Sequence, residues 1–296
     1  MLSILIPVYN YDVRPLVTEL QRQCANCAIE YEILAQDDAS MSEYNSDNYS
    51  VNSILNCNFV SLEQNVAHRE NRNLLAKRAK YDTLLFIDGD SICINPNYIA
   101  NYLENIIHFD IVYGGRIHPE FCPSENQKLR WLYGIKREDK RAIDRIKKPF
   151  QNLLFNNTLI KKNVFATVGF DLTLKKYGHD DTQLSFELSK KKYTVKHIDN
   201  QISHGDIDFN EEYLKKTTEA LQNLKLLYTQ SQVHYNFVPL LKIYRNLRIL
   251  KLHYLVRVAF KVFEKQLQKN FHGNKPNMQL FSLYKLGYLC SLDSIN

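Results

Sequence analysis

Near the N-terminus, LSILIPVY is an unbroken apolar run that stops at Asn10. Such a run reads as a strand buried on both faces. The signature returns in YEILAQDDAS, NCNFVSLEQN, DTLLFIDGDS and FDIVYGG. Helix-like stretches separate these runs: roughly residues 12–23, then AHRENRNLLAKRA, then NPNYIANYLENI, which opens around Asn95 with Pro96 in its first turn. Strands alternating with helices of about 10–15 residues build βαβ units and a parallel sheet. At 296 residues and 45% hydrophobic content, the chain can bury a large core and is not expected to be disordered.

Aspartates mark the C-terminal ends of these strands: Asp37 and Asp38 in QDD, Asp88 and Asp90 in FIDGDS. In open α/β sheets that edge is where ligands bind. Two carboxylates one residue apart repel, and burying either without a partner is costly, so a cation between them is expected. Strand alternation would point both the same way. There is no GxGxxG after the first strand and no GxxxxGKS or GxxxxGKT, which argues against ordinary dinucleotide and P-loop sites. Cys24 and Cys27 form a CxxC with no second pair to complete a zinc site, so the six cysteines read as reduced thiols in a cytoplasmic protein. The chain starts directly as a strand, without the basic region and cleavage site of a signal peptide, and has no run of about 18 apolar residues.

Residues 116–150 are polar and charged, reading as a loop plus a helix that carries Trp131. Strand and helix resume in NLLFNNTLIKKNVFATVGF. GHDDTQLSFELSKKKY then reads as a turn feeding an amphipathic helix, followed by strands in TVKHI and NQISH. From Glu211 the chain reads as helical to about Asn270, with a break at HGNKPN. This tail, 211–296, holds 13 Lys and Arg against 5 Asp and Glu, while the remaining residues are nearly neutral. Such asymmetry points the tail, not the whole protein, toward an anionic surface. The expected division is therefore 1–210 and 211–296.

Taken in order, ILIPVYN, QDDAS, NVAHRENRN, FIDGDS and GHDDTQLSFEL resemble family-2 glycosyltransferases of the GT-A fold. NNTLIKKNVFATVGFDLTLKKYGHDDTQ is similar to their chondroitin-polymerase and galactosyltransferase type. The resemblance covers about 1–205. It implies a mostly parallel sheet flanked by helices, with a helical extension. It also implies inverting, metal-dependent transfer of a hexose or N-acetylhexosamine from a UDP-sugar to a hydroxyl of a glycan. By resemblance, Asp90 ligates Mn²⁺ or Mg²⁺, Asp88 reaches the ribose and the metal shell, and His204 is a third ligand; oxygen-rich donors suit these ions. Asp38 would read uracil N3–H, with the backbone of Pro7, Val8 and Tyr9 holding the base and Arg72 and Asn73 helping to hold the nucleotide. Asp181 would be the general base and Asp180 would bind an acceptor hydroxyl. Trp131 is a candidate for stacking on a sugar face. The helix departs from the family pattern with Ala67 in place of Gly and Asn71 in place of Ala.

Two other readings stand beside this one: a transferase-like protein that only binds glycan or a partner, and a sugar nucleotidyltransferase. The latter class usually carries a Gly-rich basic loop after its first strand, which PVYNYD lacks. The expected partners are a UDP-sugar, a surface polysaccharide or lipid-linked acceptor, and an anionic membrane met by the tail; nucleic acid is not expected. The expected location is the cytoplasm, with peripheral attachment at the inner face of the cell membrane.

Overall fold

A computed structural model of the protein describes residues 1–293; the last three residues of the expected tail lie outside them. The chain divides into two compact units. The first gathers 1–118, 139–172 and 187–206, and the second gathers 119–138, 173–186 and everything from 207. The helical tail is thus one part of a unit that also takes in the Trp131 segment and the GHDD loop.

In the first unit the strands are β1 (Leu2–Val8), β2 (Tyr31–Asp37), β3 (Cys57–Ser61), β4 (Thr83–Ile87), β5 (Ser91–Ile92), β6 (Ile111–Tyr113), β7 (Arg116–Ile117), β8 (Asn157–Lys161), β9 (Val195–His197) and β10 (Ile202–His204). Among the described residues, seven form one sheet in the order β3-β2-β1-β4-β8-β6-β9, and β5-β10-β7 form a small second sheet. The large sheet is parallel except for β8, which runs antiparallel to both β4 and β6. From β1 the order runs out to β2 and β3 on one side, then returns to β4 on the other. The strand ends after β1 and β4 therefore flank a topological switch point, where such sheets open a crevice.

The sheet is mixed α/β in the expected way. Helices α1 (Arg14–Asn26) and α3 (Tyr98–Ile106) bury Leu16, Val17, Leu20, Tyr98, Ile99 and Tyr102 in the same core as Leu2, Ile4, Ile6 and Val8. The other face carries Phe86, whose ring meets those of Phe155 and Phe165 at 5.8 and 4.9 Å. Helix α2 (Ala67–Arg78) lies where AHRENRNLLAKRA predicted it. Helix α3 starts at Tyr98, later than Asn95, because the Asn95 side chain accepts the Asn97 amide in a preceding turn.

The segment expected as a loop plus one helix folds as a series of short helical turns. Its first-unit part is fixed by Arg145, which is 2% exposed. This guanidinium donates to the carbonyls of Gly114 and Ile198 and to His197 Nδ1, and lies 5.1 Å over the Tyr113 ring.

The second unit contains α4 (Lys128–Tyr133), the start of α5 (Asp180–Ser189), α6 (Asn210–Thr229), α7 (Pro239–Ile249), α8 (His253–His272) and α9 (Met278–Ser291). Read as nearly continuous to Asn270, the tail is instead broken before Pro239 and again at Leu250–Leu252. Pro239 supplies the fixed φ suited to a helix start, and Lys251 takes φ +58. Leu221, Leu224, Leu241, Tyr244 and Leu289 form one core, and Phe260, Phe271, Phe281 and Tyr284 another. Gly287 allows α9 to press against α8, since a Cβ there would lie 2.5 Å from the Phe260 ring.

Candidate active site

The two carboxylates of FIDGDS do not share a strand face. Strand β4 ends at Ile87, and Asp88–Asp90 turn back with the Ser91 amide donating to the Asp88 carbonyl at 3.1 Å. Gly89 N donates to the Pro7 carbonyl at 3.1 Å, and a Cβ on Gly89 would sit 3.0 Å from that same oxygen. Glycine lets the turn lie against the end of β1. Each aspartate then meets a different partner. Arg72 Nη2 donates to Asp88 Oδ1 at 2.5 Å, and its guanidinium lies 5.5 Å from the Phe170 ring centre. Asn73 engages both ends of its amide with the Phe170 backbone, donating to O and accepting from N at 2.9 Å each. Arg72 thus reaches the expected site, while Asn73 anchors the loop beside it.

Asp90 is held by the small sheet. Strand β10 runs antiparallel to β5 with His204 opposite Ser91. Gly205 N donates to the Asp90 carbonyl at 2.9 Å, an approach a side chain would block, since a Cβ would lie 2.5 Å from that oxygen. The pairing brings His204 Nδ1 to 3.3 Å from Asp90 Oδ2. Asp90 Oδ1 is enclosed and has no hydrogen-bond partner among the described residues. Burial, then the charges of Asp88 and Asp206, push the Asp90 carboxyl up to about 7. Behind His204, the His118 ring packs edge-on at 5.8 Å, and its Nδ1 lies 2.6 Å from Asp139 Oδ1.

Among the described residues, no three His, Cys, Asp or Glu side chains are gathered as a metal-holding group. The donors nevertheless fit a cation in kind: Asp90 and His204 adjoin, one carboxylate oxygen is unsatisfied, and negative charge accumulates.

Along β2 the two aspartates separate in role. Asp37 is fully buried and accepts from Ser40, Asn45 and Ser61, so it fixes local structure. Asp38 Oδ1 accepts the Val66 amide at 2.7 Å at the start of α2, and burial raises its carboxyl above the ordinary value. The carbonyls of Pro7 and Val8 take the amides of Gly89 and Asp38, leaving the 64% exposed Tyr9 side chain at the strand end. The departure at Asn71 is accommodated by Gln36: each donates to an oxygen of the other at 3.0 Å. The departure at Ala67 has a conformational signature, φ +67.

The remaining expected residues belong to the second unit. Asp180 and Asp181 form the first turn of α5, and His179 Nδ1 meets Thr182 Oγ1 at 3.0 Å. Gly178 has φ +87, and a Cβ there would lie 2.7 Å from the Ala220 Cβ on α6. Asn223, also on α6, donates to the carbonyls of Lys176, Tyr177 and Gly178 at 2.7, 3.2 and 2.9 Å. Trp131 is half-buried on α4, its indole N–H donating to the Pro119 carbonyl at 2.7 Å.

Residues 3–169 match the model of glycosyl transferase family 2. The chain belongs to that family. An uncharacterized glycosyltransferase of Haemophilus influenzae is 24% identical over 261 residues, covering 76% of this chain and 81% of the relative. Among solved structures, S. aureus TarS 1–349 in complex with UDP is similar at TM-score 0.50 and 16% identity, over 77% of this chain and 65% of that one. TarS 1–349 in complex with UDP-GlcNAc is similar at 0.51 and 16%, over 77% and 66%. The mannosyltransferase PcManGT of Pyrobaculum calidifontis, in complex with GDP-Man and Mn²⁺, is similar at 0.58 and 11%, over 96% and 85%. These likenesses show the GT-A fold.

Sequence reasoning on this glycosyltransferase missed several groups around its carboxylates. Asp206 stands two residues past His204 in SHGD, a signal already in view. Tyr11 and Arg116 also act electrostatically with Asp90. The His118–Asp139 pair and Asn223 carry no motif; only the folded chain brings them to their partners.

Proposed function

We propose that this glycosyltransferase moves a hexose or N-acetylhexosamine from a UDP-sugar to a glycan hydroxyl, with inversion, in the synthesis of a surface polysaccharide or lipid-linked oligosaccharide. The observation that carries the reading is Asp90, with its unsatisfied oxygen beside His204 and its neighbour Asp88 paired to Arg72, at the switch-point end of β4. Asp90 and His204 would hold Mn²⁺ or Mg²⁺, with Asp88, held by Arg72, reaching the ribose and the metal shell. Such an ion, when bound, stabilises the negative charge of a nucleoside diphosphate leaving group.

The protein's own groups supply the remainder. Arg72 fixes Asp88 and adds a positive charge beside the donor. Asp38 is the carboxylate for uracil N3–H, and the exposed Tyr9 ring suits a base face. At the N-terminus of α5, Asp181 takes the acceptor proton as the hydroxyl oxygen bonds to the anomeric carbon and the bond to UDP breaks. The helix end favours its ionised form. Asp180 orients the acceptor and the Trp131 ring offers it an apolar face. UDP and UDP-GlcNAc in the TarS complexes, and Mn²⁺ with GDP-Man in PcManGT, support a nucleotide-sugar donor.

The test is nucleotide release from a panel of UDP-sugars and GDP-mannose, with Mn²⁺ and with chelator. Turnover of a UDP-sugar lost on chelation is the expected result. Turnover unaffected by chelation refutes the metal, a GDP-sugar preference refutes the role of Asp38, and no turnover of any donor favours a binding protein.

A further inference from the structure

The last three helices lie outside the stretch that the family matches, and their inner surfaces are occupied. Tyr244 of α7 and Phe260 of α8 are buried, and Phe260 packs on Gly287. The opposite surface is apolar and open to solvent. At the α7–α8 corner, Ile249, Leu250 and Leu252 are 62%, 64% and 41% exposed. The surface continues along α8 through Leu255, Val258 and Val262, each more than 60% exposed and spaced three or four residues apart.

Cations border this strip unevenly. Arg245 lies over the Tyr235 ring at 4.0 Å, and Arg257 donates to the Asp293 carbonyl at 3.0 Å, so both are engaged within the unit. Lys251, Lys261, Lys265 and Lys269 are exposed, and Glu264 is the sole acid between 242 and 269. Among the described residues, no helix is long and apolar enough to cross a membrane.

We propose that the α7–α8 face docks on an anionic phospholipid surface. An occupant must accept aliphatic side chains and meet a row of lysines with negative charge; acyl chains beneath phosphate headgroups do both. A second copy of the chain would bring the same lysines into opposition. Lysine stems lie along the apolar boundary while their ammonium groups reach the phosphates. Ile249, Leu250 and Leu252 form the inserted corner.

The full-length protein is sedimented with vesicles of phosphatidylcholine, or with about one third phosphatidylglycerol, from low to high salt. Binding to the anionic vesicles that is lost at high salt is expected. Each Lys→Gln change among Lys251, Lys261, Lys265 and Lys269 should lower partitioning about fivefold at low salt. Combined Ile249→Ser, Leu250→Ser and Leu255→Ser should abolish it, with thermal stability and nucleotide release in solution unchanged because these side chains are 62–68% exposed. Equal binding to neutral and anionic vesicles overturns the proposal. Absence of binding overturns it too, as does dimerisation through this face that the serine variant removes.

Discussion

The side-chain amide of Asn223 donates to the carbonyl oxygen of Gly178 at 2.9 Å. With its bonds to Lys176 and Tyr177, it fixes the backbone that leads into Asp180 and Asp181. Asn223 is itself 3% exposed, and its loss removes hydrogen bonds to three carbonyls, at about 0.5–1.5 kcal/mol each. Asn223→Ala should lower the melting temperature and reduce kcat for sugar transfer while leaving donor affinity near that of the parent. A variant that loses stability but keeps kcat would show that the amide supports the fold only.

Asp181→Asn is nearly isosteric but cannot take a proton. Losing a general base costs about 10²–10⁴ in rate. Transfer should fall by that factor while UDP-sugar binding, read by calorimetry, persists. If Asp180→Asn shows the large loss and Asp181→Asn does not, the two roles are exchanged.

Asp90 shares its surroundings with the charges of Asp88 and Asp206, and one of its oxygens is unsatisfied. Removing its charge should stabilise the metal-free protein, on the order of 1–3 kcal/mol, while abolishing transfer. Calorimetric melts at pH 8 check this: Asp90→Asn should melt higher than the parent without metal, and Mn²⁺ should raise the melting temperature of the parent only. A lower melting temperature for the metal-free variant would show that Asp90 is not held against repulsion.

Ala67 begins α2 at φ +67, where a side chain is strained and glycine is not. Ala67→Gly should raise stability by about 0.5–1 kcal/mol, although glycine has more unfolded-state entropy to lose. Denaturant titration decides it, and a lower midpoint for the glycine variant contradicts the strain.

His197 is buried, and desolvation, aided by the Arg145 charge, lowers its pKa to about 4. It lies between the Arg145 Nε–H and the Pro149 carbonyl, so the neutral ring accepts at Nδ1 and donates from Nε2. A folded pKa below the unfolded value of about 6.5 means stability is intact above that pH and drains away as pH falls toward 4. The full loss is about 3 kcal/mol. Melting curves from pH 7 to 4 should show the decline, and His197→Gln should flatten it. A parallel decline in the variant would place the acid sensitivity elsewhere.

Residues 1–113 were largely legible because long apolar runs and helix-length spacers announce βαβ order. Strand alternation failed at Asp88 and Asp90 because β4 stops at Ile87, and the Asp88-Gly89 dipeptide that follows is a turn signal that outweighs the two-residue period. Strands β5, β7 and β10 have only two or three residues each, too few for a period to register, yet their pairing puts His204 beside Asp90. Arg145 and Asn223 look like surface residues in sequence; their burial follows from carbonyls contributed by distant segments.

The two units are written in alternating stretches, with the chain passing between them after His118, Glu138, Leu172, Phe186 and Asp206. A single recombination crossover between two relatives would therefore graft the second unit only in part or together with stretches of the first, and one placed after 138 parts Trp131 from the helices after 207 or Asn223 from the loop it holds. Changing the second unit as a whole in this framework requires substitutions in three separate stretches. Family members built this way are expected to diversify by point mutation and loop remodelling, because wholesale exchange of a C-terminal cassette would leave two incomplete hydrophobic cores.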